Sequence, residues 1–344
     1  MSSVKIQADG CASSFSRLPV GAGVAALAAV MALSMPIASA QDASRAAYPV
    51  RPIRLVVGYA PGGGVDIMAR LMAPRLTEAL GQQVIVENRP GAGQNIGAEV
   101  AARAAPDGYI LFMSSSALGI NVSLYPKLTY DPIKSFAPVG LVSQSPNLLL
   151  VHPSLPVSTA KELIGFARRN PGKLNFSSSG SGSTQHLSGE LFKLMTGVKM
   201  IHIPYKGSAP SLTALVSGEV DFAFNNIPSA QPFMSQNRLK VLGITSKRRS
   251  ALLPEVPTLI EAGLQGFEVA AWYGVLAPAG TSSDIVSKLN GVIVGIVQSK
   301  DFQSRLAQLG ADPIGESPQF FAKFLQEEIV RWQKVVKAAN AKPE

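Results

Sequence analysis

Cysteine is almost missing. The chain of 344 residues has one, Cys11, inside a leader-like segment. With no second thiol there is no disulfide framework, and thiol nucleophiles and thiolate metal sites have little to be built from. Charge is scarce too: charged residues make up 15% against 47% hydrophobic. That excludes a disordered chain and leaves material for a large core. The 31 basic residues outnumber 22 acidic ones, a formal net charge of +9. They are scattered, with Lys247-Arg248-Arg249 the densest run, so no nucleic-acid partner is expected. The three histidines, His152, His186 and His202, lack zinc-site spacing, and no HExxH occurs; no metal site is expected. Past residue 40, no uninterrupted apolar run reaches the ~18 residues of a membrane span.

What is there begins with the leader. Lys5 and Arg17 give a basic start, LPVGAGVAALAAVMALSMPIA is apolar and rich in small residues, and Ala38-Ser39-Ala40 is an A-x-A cleavage site. Residues 1–40 read as a signal peptide cleaved after Ala40, with export to the periplasm. An uncleaved anchor is the alternative, because the run is near spanning length. The polar Ala8-Asp9-Gly10 before Cys11 argues against a lipoprotein anchor. Cleavage removes Lys5, Arg17, Asp9 and Cys11, leaving a cysteine-free chain of net charge +8.

The remainder alternates strands and helices. Arg54–Ala60 is a buried-type strand, and the helix after Gly64 carries Ile67, Met68, Leu71, Met72, Leu76 and Leu80 on one face. Strands at 83–86 and 109–113 and a helix at 94–104 complete a β-α-β-α-β unit, which predicts a parallel sheet with helices on both faces. Val139–Val151 is apolar, and Thr159-Ala160-Lys161-Glu162 is a capping box. A second β/α unit of the same build covers 149–249. Its helix after SSSGSGS (177–183) shows Leu187, Leu191, Leu194 and Met195 on one expected face. Beyond it come a strand at 268–276, a helix capped by Thr281-Ser282-Ser283-Asp284 and running to about Val297, and a last helix opened by Ser317-Pro318. The expected fold class is α/β with two β/α domains and a ligand cleft between them. The domain parts are 48–148, 149–249, and 250–344 returning to the first.

Known catalytic and cofactor motifs do not fit. In Gly91-Ala92-Gly93-Gln94-Asn95-Ile96-Gly97 the third glycine is one residue late for a dinucleotide fingerprint, and no acid follows the next strand. Ser181-Gly182-Ser183-Thr184 lacks the lysine of a P-loop, and no serine sits in G-x-S-x-G. A secreted hydrolase using Ser181 or Ser183 with His186 is a rival reading, but no orienting acid is evident. No cofactor is implied. What remains is two glycine-rich turns, PGGGVD (61–66) and SSSGSGS, each between a strand and a helix. Helix N-termini offer unpaired N–H groups and a positive dipole end; glycine lets an anion approach and serine adds donors. In open α/β sheets, ligands sit beyond the carboxyl ends of the strands, where both turns lie. Two such turns facing each other suit a dicarboxylate. Asp66 fits best as a partner of its own helix dipole.

The stretches YPVRPIRLVVGYAPGGGVDIMARLMAPRL, VIVENRPGAG, APDGYILFMSSS, KLNFSSSGSGSTQHLSGELF, IPYKGSAPSLTALVSGEVDFAFNNIPSA and WYGVLAPAGT resemble the tripartite tricarboxylate transporter receptors, the Bug family of extracytoplasmic solute-binding proteins. The likeness runs over essentially all of the chain past the leader. It implies a type II periplasmic-binding-protein fold with crossover strands. It also implies capture of a small organic carboxylate, partly through bridging water, delivery to membrane permease subunits, and no catalysis. It places Pro61, Gly62, Gly63, Val65 and Asp66 in the first turn. Ser178, Ser179, Gly180, Ser181, Gly182 and Ser183 fall in the second, with His186 beside it, where capping or surface exposure competes with ligand contact. Tyr205, Asn226 and Ser115 approach the same side. Trp272 and Tyr273 either wall the cleft or pack in the core. Asn225 stands where the family often has aspartate or alanine, which leaves its role open. Hinges are expected near 147–151 and 248–252, and a monomer is the expected state. A sensor that passes ligand occupancy to a signalling partner would share this fold and cleft.

Overall fold

The computed structural model describes residues 48–343; the leader and its cleavage site lie outside them. The Ile/Leu/Val runs form β1 (Ile53–Val57), β2 (Val84–Asn88) and β3 (Ile110–Ser115). They pair in parallel in the order β2-β1-β3, with Leu55 opposite Val86 and Leu111. Helices α1 (Gly64–Leu80), α2 (Asn95–Ala102) and α3 (Ala117–Leu124) follow the three strands in turn. α3 was not foreseen. Its sequence ALGINVSL has no amphipathic stripe, because most of it is buried. β1, β2 and β3 are parallel as expected of the unit, and β9 (Ala270–Pro278) extends the sheet antiparallel, between β3 and β4 (Phe136–Val151), so that the whole is mixed.

β4 serves two sheets. Up to Pro146 it pairs with β9; from Asn147 it pairs with β7 (Phe222–Asn226) and β8 (Lys240–Ile244). Proline has no N–H to continue a ladder, and the change of partner falls there. The second sheet runs β4-β7-β5-β6, with β5 (Asn175–Ser178) parallel to both β7 and β6 (Ile201–Pro204). It carries α4 (Ala160–Arg169), α5 (Thr184–Thr196), α6 (Ser208–Val216) and α7 (Ile227–Met234); β8 and α7 were not foreseen. We call the two sheets with their helices the first and second lobes.

The chain returns to the first lobe later than expected. Thr245 ties the two crossings together: its hydroxyl accepts from Asn147 N at 2.8 Å and donates to Val269 O at 2.5 Å. Residues 250–269 fold back on the second lobe, where Val256, Leu259, Leu264 and Phe267 join its apolar cores. The return therefore falls at Val269/Ala270, which corrects both the 249/250 boundary and the 248–252 hinge. α8 (Ser283–Gln298), α9 (Lys300–Gln308), β10 (Asp312–Pro313) and α10 (Pro318–Ala339) complete the chain. α9, also not foreseen, starts at Ser299, whose hydroxyl accepts from Phe302 N.

The apolar face expected on α5 is buried only in part: Leu187 enters the core and Leu191 packs against it. Thr184 to Glu190 are buried on every side together with Phe192, while Leu194 and Met195 are exposed. The helix enters the core end-on, so its N-terminal half is enclosed whatever its polarity. Gly189 makes this fit: a Cβ there would meet the Phe176 ring at 2.1 Å. Trp272 packs in the core against Phe321 and does not wall the cleft. No helix among the described residues is long and apolar enough to cross a membrane.

Candidate ligand-binding site

Both glycine-rich turns come to one place between the lobes. A small cavity of about 20 Å³ lies there. It is bordered by the first residues of five helices: Gly64 and Val65 of α1, Ala117 of α3, Thr184 and Gln185 of α5, Ser208 of α6, and Asn226, the cap of α7. Three of these helices, α1, α3 and α6, have no side-chain cap bond. Their first amides are left for another acceptor, and each helix end adds partial positive charge. No acidic or basic side chain lines the cavity; Ser115, Ser116, Ser179, Ser183, Tyr59 and Tyr273 supply hydroxyls instead. The Tyr273 hydroxyl is buried with no partner among the described residues, and burial raises its pKa far above the usual phenol. The uncapped amides and the Tyr273 hydroxyl thus present donors and a positive potential to an acceptor, and the volume suits a carboxylate end or one or two waters.

Of the predicted residues, Gly63, Val65, Ser115, Ser179, Ser183 and Asn226 line this cavity. Asp66 does not. Its buried carboxylate accepts from Gly62 N at 2.9 Å, Arg70 Nε at 3.0 Å and Asn88 Nδ2 at 2.9 Å. It fixes the turn from behind. Gly62, at φ +82°, closes that turn, and Pro61 is exposed outside it.

The serine-rich turn is not a flexible linker. Ser183 Oγ donates to Gly180 O at 2.7 Å and accepts from His186 N at 3.1 Å. Ser179 Oγ donates to Gln185 Oε1 at 3.0 Å, and Gly180 N donates to Ser178 Oγ at 3.1 Å. Ser178 Oγ lies 2.7 Å from His202 Nε2. Ser178, Gly182 and His186 stand behind the cavity wall. His186 stacks on His202 with ring centroids 4.2 Å apart, and its Nδ1 accepts from Gly182 N. Burial, then Lys193, lowers the His186 pKa to about 4. This geometry removes the hydrolase reading's pairing: Ser183 donates to a carbonyl rather than to His186, and Ser181 does not border this cavity. Asn225 is buried, with Oδ1 accepting from Asn226 N, so it supports Asn226 from outside the cavity. No cluster of three metal-ligating side chains occurs among the described residues.

A second cavity of about 180 Å³ adjoins the first at Tyr59 and Ser179. Gly180, Ser181 and Tyr205 line this one, along with Gly91–Gln94, Tyr125 and Lys206. The lobes touch around it. Ala60 N donates to Lys206 O at 3.0 Å, and a Cβ on Gly93 would stand 2.0 Å from Ser181 O. Sequence reasoning missed Tyr59, Ser116, Thr184, Gln185, Ser208 and Lys206. The signal for the last two was present in Lys206-Gly207-Ser208, a third glycine turn opening a helix.

Comparison with known proteins shows the family and the fold. The model of the tripartite tricarboxylate transporter family receptor matches residues 68–341. Protein BugT of Bordetella pertussis is 39% identical over 297 residues, covering 86% of this chain and 91% of that protein. The R. palustris protein Rpa4515, solved with adipate, is 40% identical with a TM-score of 0.84, covering 86% of this chain and 100% of that one. MatC from Rhodopseudomonas palustris, solved with bound malate, is 37% identical with a TM-score of 0.80, covering 84% and 100%.

Proposed function

The chain belongs to the tripartite tricarboxylate transporter family of receptors, and on that premise we propose that it is a periplasmic receptor for a small organic carboxylate. It takes the anion between its lobes, closes on it, and delivers it to membrane permease subunits. The observation that carries this reading is the convergence of five helix N-termini on a hydroxyl-lined cavity with no charged wall. A carboxylate oxygen accepts from such amides and hydroxyls and lies where the dipole ends favour negative charge, each end contributing up to about 2 kcal/mol in partly buried geometry. Adipate and malate bound to two relatives support the same class of ligand. Gly63, Val65, Ser115, Ser179, Ser183 and Asn226 meet the ligand, directly or through water. Pro61, Gly62, Asp66, Ser178, Gly182 and His186 hold the two turns in shape, while Gly180, Ser181 and Tyr205 face the adjoining cavity. Binding needs no cofactor, and the receptor acts as a monomer.

Calorimetric titration of the ligand-stripped chain with small carboxylates and their matching amides tests this. We expect one site that takes an acid and refuses its amide, with Tyr273→Phe, which removes the unpartnered hydroxyl, weakening it about tenfold, the worth of a hydrogen bond to a charged group. Equal binding of acid and amide would overturn the carboxylate reading.

A further inference from the structure

Gln94 is held in a conformation that a glutamine side chain resists. Gly91, Ala92, Gly93 and Gln94 all have positive φ, at 135°, 48°, 59° and 73°. A residue with a side chain is strained in that left-handed region, and runs of it are rare. Gln94 is also wholly buried, and a Cβ on Gly58 would stand 2.4 Å from its own Cβ. Strain of this kind persists where the surroundings fix it, and it gathers at functional sites. The Gln94 amide spans a single residue, Ser115, which borders the first cavity. Gln94 Nε2 donates to Ser115 O at 3.4 Å, and Ser115 Oγ donates to Gln94 Oε1 at 3.1 Å. A carbonyl can only accept, so the amide nitrogen must face Ser115 O, and the amide oxygen is left for the hydroxyl. The Ser115 proton therefore points at Gln94. Of the two lone pairs on Oγ, the Tyr59 hydroxyl meets one, and the other is left for the cavity.

We propose that Gln94 is a specificity-determining residue: it makes Ser115 an acceptor, so the receptor prefers a carboxylate that carries a hydroxyl on the adjacent carbon. This rests on the reading of the first cavity as the seat of a carboxylate. The uncapped amides of α1, α3 and α6 take the carboxylate oxygens. Ser115 ends β3 just before the first residue of α3, Ala117, and so stands beside the α3 amides. A lone pair at that point repels a carboxylate oxygen and accepts from an O–H. An ammonium would also bring a donor, but the helix ends oppose a cation and no acidic side chain lines the cavity to offset them. A hydroxyl is the donor that fits.

The test is calorimetric titration of the ligand-stripped chain with a three-carbon monoacid and a four-carbon diacid. Each is used as the parent acid, its amide, its 2-hydroxy form and its 2-fluoro form, since fluorine is close to a hydroxyl in size and has no proton to donate. We expect the 2-hydroxy acid to bind about fivefold tighter than both the parent and the 2-fluoro acid, the worth of one hydrogen bond. Ser115→Ala should bring that ratio to about one. Gln94→Met keeps the bulk but returns the Ser115 proton to the cavity, and the ratio should again fall to about one. A merely structural Gln94 would weaken all three acids alike and leave the ratio standing, which overturns the proposal. So does a 2-hydroxy acid that binds the unaltered chain no tighter than its 2-fluoro form, an outcome that needs no variant to fold. In both cases a parent acid that beats its amide leaves the first cavity's carboxylate in place. Acids that bind no better than their amides would instead remove the underlying reading, and a series in which no acid binds removes both.

Discussion

Gly64 stands where no side chain fits. A Cβ there would lie 2.5 Å from Tyr273 Oη and 2.7 Å from Asn226 Nδ2, two polar groups of the first cavity. We expect Gly64→Ala to weaken ligand binding at least tenfold. Fold stability should fall by about 1–3 kcal/mol, since buried Tyr273 and Asn226 must shift to admit the methyl group. Titration and thermal melting of the same variant separate the two effects, and unchanged affinity would count against the cavity as the binding site. The histidine pair makes a pH prediction. Burial, then His186 and Lys193, lowers the His202 pKa to about 2, and His186 falls to about 4, against 6.5 for an ordinary histidine. The unfolded chain therefore takes up protons that the folded one refuses. Stability is fully present above about pH 6.5 and declines as pH drops from there toward 4. A shift of this size in one histidine corresponds to about 3 kcal/mol. Urea unfolding at pH 7.5, 5.5 and 4.5 should show that slope, and replacing both histidines with glutamine should flatten it.

At the scale of the element, α10 is held by one buried carboxylate. Glu328 Oε2 accepts from Trp272 Nε1 at 3.1 Å and Trp332 Nε1 at 2.8 Å, and Oε1 accepts from Arg331 at 3.1 Å. Glu328→Ala strands two buried indole donors and should cost about 3–5 kcal/mol. These are the chain's 2 tryptophans, so intrinsic fluorescence reports the loss directly; Glu328→Gln keeps an acceptor and should recover part of it. No local pattern announces this contact, because β9 and α10 are far apart in sequence. The legible elements were those with punctuation. Gly64, Ser282 and Ser317-Pro318 marked helix starts, and glycine followed by a helix marked both turns of the site. The illegible ones were those enclosed on all sides. The buried half of α5 and nearly all of α3 carry no stripe, and 250–269 shows no helix or strand period although five of its apolar residues enter the second lobe's cores. At the site, the glycine and serine positions were readable as anion-binding grammar. Tyr59 was not, since an aromatic residue in a buried strand has a core role by default, and Tyr273 was left between cleft wall and core for the same reason.

At the scale of the whole molecule, the lobes meet in a seam made of backbone. Ala60 N donates to Lys206 O across it, Tyr125 Oη lies 3.4 Å from Ser181 O, and Gly93 presents a bare Cα to the same carbonyl. Ties between the lobes that do not depend on this seam include the crossings at Pro146/Asn147 and Val269/Ala270, with Thr245 between them, and the helices packed against both cores. A rotation about the crossings would open the seam, as in hinge closure, with α3 and α10 adjusting because they carry residues of both cores. A methyl group on Gly93 would strike Ser181 O, and φ +59° makes the residue strained for alanine as well. Gly93→Ala should therefore destabilise the open chain by only about 1 kcal/mol while barring the closed arrangement. We expect small-angle scattering to show the unaltered chain becoming more compact at saturating ligand and the variant failing to do so, with an affinity loss of tenfold or more. If the variant compacts and binds like the unaltered chain, the seam is not what closure forms. Ligand would then be held by the first cavity without movement of the lobes.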